Sequence, residues 1–146
     1  MLQRKILLIR GGNKSIGKTT LQKFITDLVL INTPINVIEY RTCTEFISKF
    51  GLTNFDRSTL CVMPEFTCVS SQKDKFLALI RAITNGDEVT INQRYKPIKT
   101  MSLPNMYFII VTNQCDAIMN DITRELYNRS VVTTGVTDSG IRDWIS

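Results

Sequence analysis

The feature that most constrains the fold is a glycine- and lysine-containing segment between an apolar run and a helical pattern. Gly12–Thr19 reads GNKSIGKT, which matches the spacing GxxxxGK[ST] at every fixed position. Before it, Lys5–Arg10 (KILLIR) predicts a short buried strand. After it, Thr19–Ile31 carries apolar residues at helical spacing and predicts a helix. Strand, loop and helix in this order are the context that the motif requires, so the segment predicts a phosphate-binding loop.

The chemistry of such a loop assigns a role to each part of the segment. Glycines let the backbone turn its N–H groups inward around phosphate oxygens, and the helix that follows adds its positive N-terminal end. Lys18 is expected to reach the β- and γ-phosphates of ATP, and the Thr19 hydroxyl to bind Mg²⁺. The residues expected to contact the nucleotide are Gly12, Asn13, Lys14, Ser15, Ile16, Gly17, Lys18, Thr19 and Thr20.

The remaining pattern is that of alternating strands and helices. Further strands are predicted at Asn36–Tyr40, Thr59–Met63, Tyr107–Thr112 and Ser130–Thr133. Further helices are predicted at Thr44–Phe50, Asp74–Thr84 and Asp121–Tyr127. Glu88–Ile91 and Thr100–Leu103 flank a basic stretch and are expected to pair as a hairpin. Strands that are apolar throughout indicate a five-stranded parallel sheet covered on both faces, with the hairpin inserted into that plan.

Two polar residues follow predicted central strands. Glu65 comes after the strand Thr59–Met63, which Pro64 stops, and an acid at this place can bind metal and polarise the attacking water. Pro64 occupies the position where such ATPases usually carry a first acid. Asn113 follows the most apolar strand, which we expect in mid-sheet beside the first, and its amide can orient the same water. The alternatives are a solvent-exposed glutamate and an ordinary turn asparagine.

The stretch between the two hairpin strands carries cations around an aromatic residue. Arg94, Lys96 and Lys99 lie within six residues, with Tyr95 among them. Lysine and arginine neutralise phosphates of nucleic acid, and an exposed aromatic ring can stack on a base. A solvated basic loop is the alternative, and short charge clusters are usually of that kind.

Composition limits the remaining choices. The 146 residues fit a single domain, and a net charge of +5 favours a polyanionic partner. The absence of histidine excludes histidine-based acid–base catalysis and histidine-ligated metals. No two of the four cysteines form a CxxC pair, so reduced thiols in an intracellular, unsecreted protein are expected. No run approaches the about 20 apolar residues of a membrane span, so no membrane association is expected.

Together these motifs resemble the superfamily 3 helicases, the AAA+-like P-loop motor domains of viral replication proteins. The resemblance runs from about Gly11 to Val132 and covers four motifs in order. Beyond the phosphate loop, Glu65 and Asn113, it includes a segment that reads RAITNGDEV, from Arg81 to Val89, followed by Arg94-Tyr95-Lys96. Members of the family carry a helix, a Gly-Asp turn and a basic hairpin facing DNA at this place. This combination is the specific part, since the other three motifs fit many ATPases.

The resemblance implies further properties. It implies an ATP- and Mg²⁺-dependent helicase that acts on single-stranded DNA, with Asn113 as the sensor and Arg129 as an arginine finger reaching a neighbouring subunit. It implies a homo-oligomer, a hexameric ring in the full-length protein, located in the host nucleus or cytoplasm if viral. The helical oligomerisation and nuclease or primase domains that usually precede this motor are not in the sequence. We therefore expect residues 1–146 to be a single motor domain from a longer protein.

Three alternatives remain open. A helicase-like ATPase of a positive-strand RNA virus would share the first, second and fourth motifs. A nucleotide-binding assembly or packaging module with little turnover would explain Pro64. A small-molecule kinase is disfavoured, because no arginine-rich lid segment is evident.

Overall fold

The computed structural model describes residues 4–11, 35, 37–55 and 59–133. Within these ranges the strands are β1 (Ile6–Arg10), β2 (Val37–Tyr40), β3 (Thr59–Met63), β4 (Glu88–Ile91), β5 (Lys99–Ser102), β6 (Tyr107–Thr112) and β7 (Ser130–Thr133). The helices are α1 (Cys43–Phe46), α2 (Ser70–Asn85) and α3 (Ala117–Glu125), and a 3₁₀ turn at Tyr127–Arg129 leads into β7. The predicted helix Thr19–Ile31 lies outside the described residues.

Five of the strands form one parallel sheet in the order β2-β3-β6-β1-β7. Its centre is β6, which pairs with β1 through Leu8 and Ile110 and with β3 through Val62 and Ile109. The prediction that Tyr107–Thr112 lies in mid-sheet beside the first strand is therefore confirmed. So is the prediction of a five-stranded parallel α/β sheet, since side chains on both faces are buried.

Successive residues of each central strand point to opposite faces of the sheet. In β1, Ile6 and Leu8 belong to a large apolar cluster that includes the buried residues of α2 and α3, whereas Leu7 and Ile9 belong to a smaller cluster on the other face. The larger cluster contains five phenylalanines, whose contacting rings have centroids 4.9 to 6.5 Å apart. This packing on both faces explains why the strands are apolar throughout rather than alternating.

Helix α2 contains the predicted Asp74–Thr84 but begins four residues earlier, at Ser70. Its first turn is polar and carries no apolar periodicity, so the sequence pattern did not reveal it. The Gln72 side chain accepts from the backbone N–H of Val69 at 3.2 Å and stabilises this start. The helix ends at Asn85, one residue beyond the predicted end, where Gly86 caps it with φ of 80°.

The boundaries of three other elements differ from the prediction. The helix predicted at Asp121–Tyr127 has the wrong bounds, since α3 spans Ala117–Glu125. It starts earlier because the Asp116 carboxylate accepts from Met119 N at 3.0 Å and caps the helix. The helix predicted at Thr44–Phe50 was too long, since α1 ends at Phe46. The hairpin is present as predicted, but its second strand is shifted by one residue to Lys99–Ser102, with Ile91 opposite Lys99.

All four cysteines are free thiols, and three of them are buried. Cys61 is fully buried in β3, as its apolar neighbours predicted, and burial raises its pKa to about 12. Burial also raises the pKa of Cys43 to about 12, reinforced by the adjacent Cys68 thiol. These thiols stay protonated near neutral pH, whereas Cys115 is exposed.

Candidate functional site

The three central strands end side by side at one edge of the main sheet, which we call the carboxyl edge. Arg10 at the end of β1 pairs with Thr112 at the end of β6, and Gly11 N donates to Thr112 O at 3.0 Å. Gly11, the last described residue before the predicted phosphate loop, therefore lies beside Thr112 at this edge. Gly12–Thr20, with Lys18 and Thr19 among them, lie outside the described residues.

The segment after β3 is fastened to the end of β6 by backbone and hydroxyl groups. Phe66 N donates to Val111 O at 2.9 Å, and the buried Thr112 hydroxyl donates to Phe66 O at 2.7 Å. Glu65 lies between the end of β3 at Met63 and the hydrogen-bonded Phe66, and it is exposed. The backbone next to the acid is therefore held at the carboxyl edge.

Asn113 follows Thr112 directly and is exposed at the same edge. Neighbouring strands lie about 4.8 Å apart, so Gly11, Glu65 and Asn113 are brought close together although up to 102 sequence positions separate them. The carboxyl edge of a parallel sheet is the usual ligand-binding edge of α/β proteins. The predicted proximity of the acid, the amide and the start of the loop agrees with this placement.

Gln114 is a polar residue of this edge that the sequence pattern did not single out. Its amide accepts from Cys68 N and donates to Cys68 O, both at 2.8 Å, and also donates to Asp116 at 2.9 Å. Hydrogen bonds from the Gln114 amide and then from Met119 N hold the pKa of Asp116 below its usual range. Gln114 therefore joins the acid-bearing segment to the start of α3. The only sequence signal was its place directly after Asn113.

Thr19 and Glu65 were predicted to bind Mg²⁺, and the described residues contain no group of three or more acidic or cysteine side chains that could hold a metal on its own. Mg²⁺ is commonly bound by one or two protein oxygens together with substrate phosphates and water. Of the two predicted ligands the structure describes Glu65, whose carboxylate is an oxygen ligand of the kind that Mg²⁺ binds.

Arg129 lies at the opposite edge of the sheet, because it immediately precedes β7 and all five strands are parallel. Its Nη1 donates to Thr84 Oγ1 at 3.1 Å and to Asn85 Oδ1 at 2.5 Å, in the last turn of α2. That turn leads through Gly86 into the hairpin. Arg129 thus has contacts within its own chain at the root of the hairpin.

Arg124, in the last turn of α3, has an ordinary surface partner. It pairs with Asp121 at 2.6 Å, one turn earlier on α3, and it is largely exposed. Asp121 also pairs with Lys73 of α2 at 3.2 Å, so the three residues form a small charge network between the helices. Surface pairs of this kind contribute little stability.

The predicted nucleic-acid residues all lie at or beside the tip of the hairpin. Arg94, Tyr95, Lys96 and Lys99 are exposed, and Tyr95 has no burial at all, with a relative exposure of 102%. Lys99 lies on β5, whereas the other three belong to the connection between the strands. The structure brings these four together on the hairpin, which is separate from the main sheet whose strands precede Glu65 and Asn113.

The fold and site together define the chain as an α/β protein with a five-stranded parallel sheet and a basic hairpin insertion. Comparison with protein-family models and with curated proteins found no match to this chain. No helix among the described residues is long and apolar enough to cross a bilayer.

Proposed function

We propose that this chain is an ATP-dependent motor domain acting on nucleic acid, of the superfamily 3 helicase type. One observation carries the proposal. The segment entering the GxxxxGK[ST] motif, the acid after β3 and the amide after β6 end on adjacent parallel strands at one edge, where Gly11 is bonded to Thr112. A γ-phosphate held by the loop would lie in front of Glu65 and Asn113.

Each group then has a role in moving a phosphoryl group to water. Lys18 neutralises charge on the β- and γ-phosphates, and Glu65 accepts the proton of the attacking water. The Asn113 amide orients that water. Thr19 and Glu65 would hold Mg²⁺, which would supply further neutralisation of the phosphate oxygens.

The hairpin supports nucleic acid as the second ligand. It presents three exposed cations and one fully exposed tyrosine on a two-stranded sheet that stands outside the main one. Cations supply the sequence-independent affinity for phosphates, and aromatic rings stack on unpaired bases. This combination favours single-stranded DNA, the substrate class of the family that the motifs resemble.

The position of Arg129 bears on oligomerisation. The strands of the sheet rise by about 3.3 Å per residue, so β7 separates Arg129 by more than 10 Å from the carboxyl edge of its own chain. If Arg129 contacts a nucleotide, the nucleotide belongs to a neighbouring subunit. We propose a ring-shaped homo-oligomer on this ground and on the resemblance.

A nucleotide-binding module with little turnover is the second candidate. Its support is Pro64, which ends β3 at the position where a first acid would help to hold the metal. Such a module would bind ATP through the same loop and leave Glu65 without a catalytic task.

Nucleotide binding is tested with Lys18→Ala, and Lys75→Ala, an exposed lysine of α2, is the matched control. Calorimetry with ATP and Mg²⁺ should show binding by the wild type and Lys75→Ala, and none by Lys18→Ala. Equal affinity in all three proteins would refute the phosphate-loop assignment. Binding by the wild type without turnover, even with single-stranded DNA present, would favour the module over the motor.

A further inference from the structure

A groove lies on one side of helix α2, between that helix and the segment formed by α1 and the loop that follows it. Its volume is about 560 Å³, and we call it the α2 groove. One wall comes from α1 and its loop, and the other wall comes from α2. Thr90 and Asn92 of the hairpin complete the lining. Three separate segments of the chain therefore build the groove, and none of them forms it alone.

The floor of the α2 groove is apolar. Phe46 and Leu52 are buried and line it on the α1 side. On the α2 side, Leu79 and Ala82 are half-buried and Ala78 is exposed. The two alanines are four positions apart, on one face of the helix, and their short side chains leave the groove open. Apolar surface of this kind gains free energy when a partner removes it from water.

Hydrogen bonds join the two walls at both ends of the α2 groove. At the first end, Gln72 Nε2 of α2 donates to Thr44 Oγ1 of α1 at 2.9 Å. At the second end, Asn92 Nδ2 donates to Lys49 O at 3.2 Å, and Thr53 Oγ1 donates to Asn92 O at 3.0 Å. The distance between the walls is therefore set by contacts within the chain, and the groove is formed before any partner binds.

The lining of the α2 groove contains two cations and no acid. Lys75 lies near the first end and Lys49 at the second. Both residues are exposed, and neither pairs with a carboxylate among the described residues. Glu45, the acid of α1, is used within its own helix, where its carboxylate accepts from Thr42 N at 3.0 Å. The groove is therefore apolar at its floor and positively charged at both ends.

The other side of α2 shows how this protein pairs such cations. Lys73 pairs with Asp121 at 3.2 Å, and Arg81 pairs with Glu125, so each of these cations has an acid on α3. Lys75 follows Lys73 by two residues, about 200° further around the helix, and faces the groove instead. An amphipathic helix that supplies apolar and acidic side chains thus already covers one side of α2.

We propose that the α2 groove binds one amphipathic helix of a partner protein. The apolar side chains of that helix contact the floor, and its acidic side chains pair with Lys75 and Lys49. Lys75 and Ala82 are seven positions apart, which is about 10 Å along α2 and two turns of a partner helix. The partner helix therefore carries two acids seven positions apart, with apolar residues three and four positions after the first acid.

A helix fits these observations better than a small amphiphile does. The groove is open to solvent, since Ser48 and Ala78 of its lining are exposed, and a docked helix buries one face while the other stays in water. An amphiphile with a single acidic head would pair with one of the two lysines and leave the other without an acid. The inference goes beyond the proposed function and depends on neither ATP nor nucleic acid.

The test uses a fluorescein-labelled helical peptide built around Glu-Ala-Ala-Leu-Leu-Ala-Ala-Glu, with binding to the full chain followed by anisotropy. The wild type should bind this acidic peptide. Two control peptides, one with serine in place of leucine and one with lysine in place of glutamate, should bind at least roughly tenfold more weakly, because the first loses the apolar contact and the second is repelled by the lysines.

Substitutions in the chain locate the binding site. Lys75→Glu should weaken binding of the acidic peptide roughly tenfold, because it replaces an attraction by a repulsion. Arg124→Glu, the same charge change on α3, is the matched control and should bind like the wild type. Ala78→Trp fills the groove without changing charge and should also weaken binding. Exchanging one peptide glutamate for lysine should restore binding to Lys75→Glu.

Thermal unfolding and ATP binding should stay at wild-type values in all three variants, which excludes misfolding and keeps the test separate from the proposed function. Wild-type affinity for the acidic peptide in both Lys75→Glu and Ala78→Trp overturns the inference, as does equal binding of the acidic and control peptides. Without peptide binding, dodecanoate bound in the groove would assign it to a small amphiphile, and self-association that Ala78→Trp abolishes would assign it to a second copy of the chain. Either result also overturns the inference.

Discussion

The carboxyl edge of the main sheet and the tip of the hairpin both present exposed polar side chains, but they hold them by different means. At the carboxyl edge, Glu65 and Asn113 follow buried strands that are joined by backbone hydrogen bonds and by the buried Thr112 hydroxyl. At the tip, Arg94 and its neighbours depend on the Phe50 ring and on contacts made by Asn92.

This difference decides what a substitution can reveal. At the carboxyl edge the sheet fixes the position of a side chain, so replacing an exposed group changes chemistry and leaves the geometry in place. At the tip the side chains themselves help to set the shape, so a substitution changes charge and shape together. Variants at the edge should therefore separate binding from turnover, whereas variants at the tip should alter nucleic-acid binding.

The largest expected effect concerns Arg129, at the root of the hairpin. Arg129→Ala should leave ATP binding intact and reduce turnover by roughly 10³-fold or more, because an arginine finger stabilises the transferring phosphoryl group. The reduction should appear only where subunits assemble, for example with nucleic acid present. Steady-state ATPase assays with and without single-stranded DNA measure it.

Arg129 also contacts Asn85 in its own chain, so a control must separate the two roles. Asn85→Ala removes that contact and keeps the guanidinium, and its turnover should stay near the wild-type value. Mixing Arg129→Ala with Lys18→Ala subunits should restore activity, since one supplies the phosphate loop and the other the finger. Normal assembly without any restored activity would show that Arg129 does not act on a neighbour.

Glu65→Gln should keep ATP binding and lower turnover by roughly 10²-fold or more, because glutamine preserves shape and removes the base. Calorimetry and single-turnover hydrolysis measure the two quantities separately. Glu88→Gln, an exposed glutamate at the start of β4, is the matched control and should hydrolyse ATP at the wild-type rate. Unchanged turnover in Glu65→Gln would exclude it as the catalytic acid, and Asp56 or Asp87 would be tested next.

The combined replacement of Arg94, Lys96 and Lys99 by alanine should weaken binding to single-stranded DNA and flatten its salt dependence, because lost phosphate contacts release fewer counterions. ATP affinity should remain at the wild-type value, since the hairpin is separate from the carboxyl edge. Titrations at several salt concentrations measure the slope. A salt slope equal to that of the wild type would indicate that these residues form a solvated basic loop and do not contact phosphates of DNA.

The smallest expected effect is on the reactivity of Cys115, which is exposed two residues beyond Asn113. ATP with Mg²⁺ should slow its alkylation by covering the carboxyl edge, and oligothymidylate should leave the rate unchanged. Cys61 should not react in the native state, since burial raises its pKa to about 12. Mass spectrometry of labelled peptides gives the rates. Protection that persists in Lys18→Ala would mean that the nucleotide does not cause it.

Several elements could be read from sequence because their signals are local. The bounds of β3, β6 and β7 were predicted correctly from apolar runs, and the end of α2 was predicted to within one residue. The starts of α2 and α3 were missed, because they depend on side-chain caps rather than on apolar periodicity. The candidate acid and amide were found because each directly follows a recognisable strand.

By itself, the sequence determined which segments form the sheet, where the phosphate-loop motif begins and which polar residues end the central strands, since spacing and periodicity are properties of neighbouring residues. Only the tertiary structure decided that Gln114 holds the segment after Glu65, that Phe50 lies against Arg94 and that Arg129 reaches Asn85. These partners are 44 to 46 positions apart in the chain. Contacts over such separations depend on strand order and on how apolar faces are buried, and these are set by packing of the whole domain.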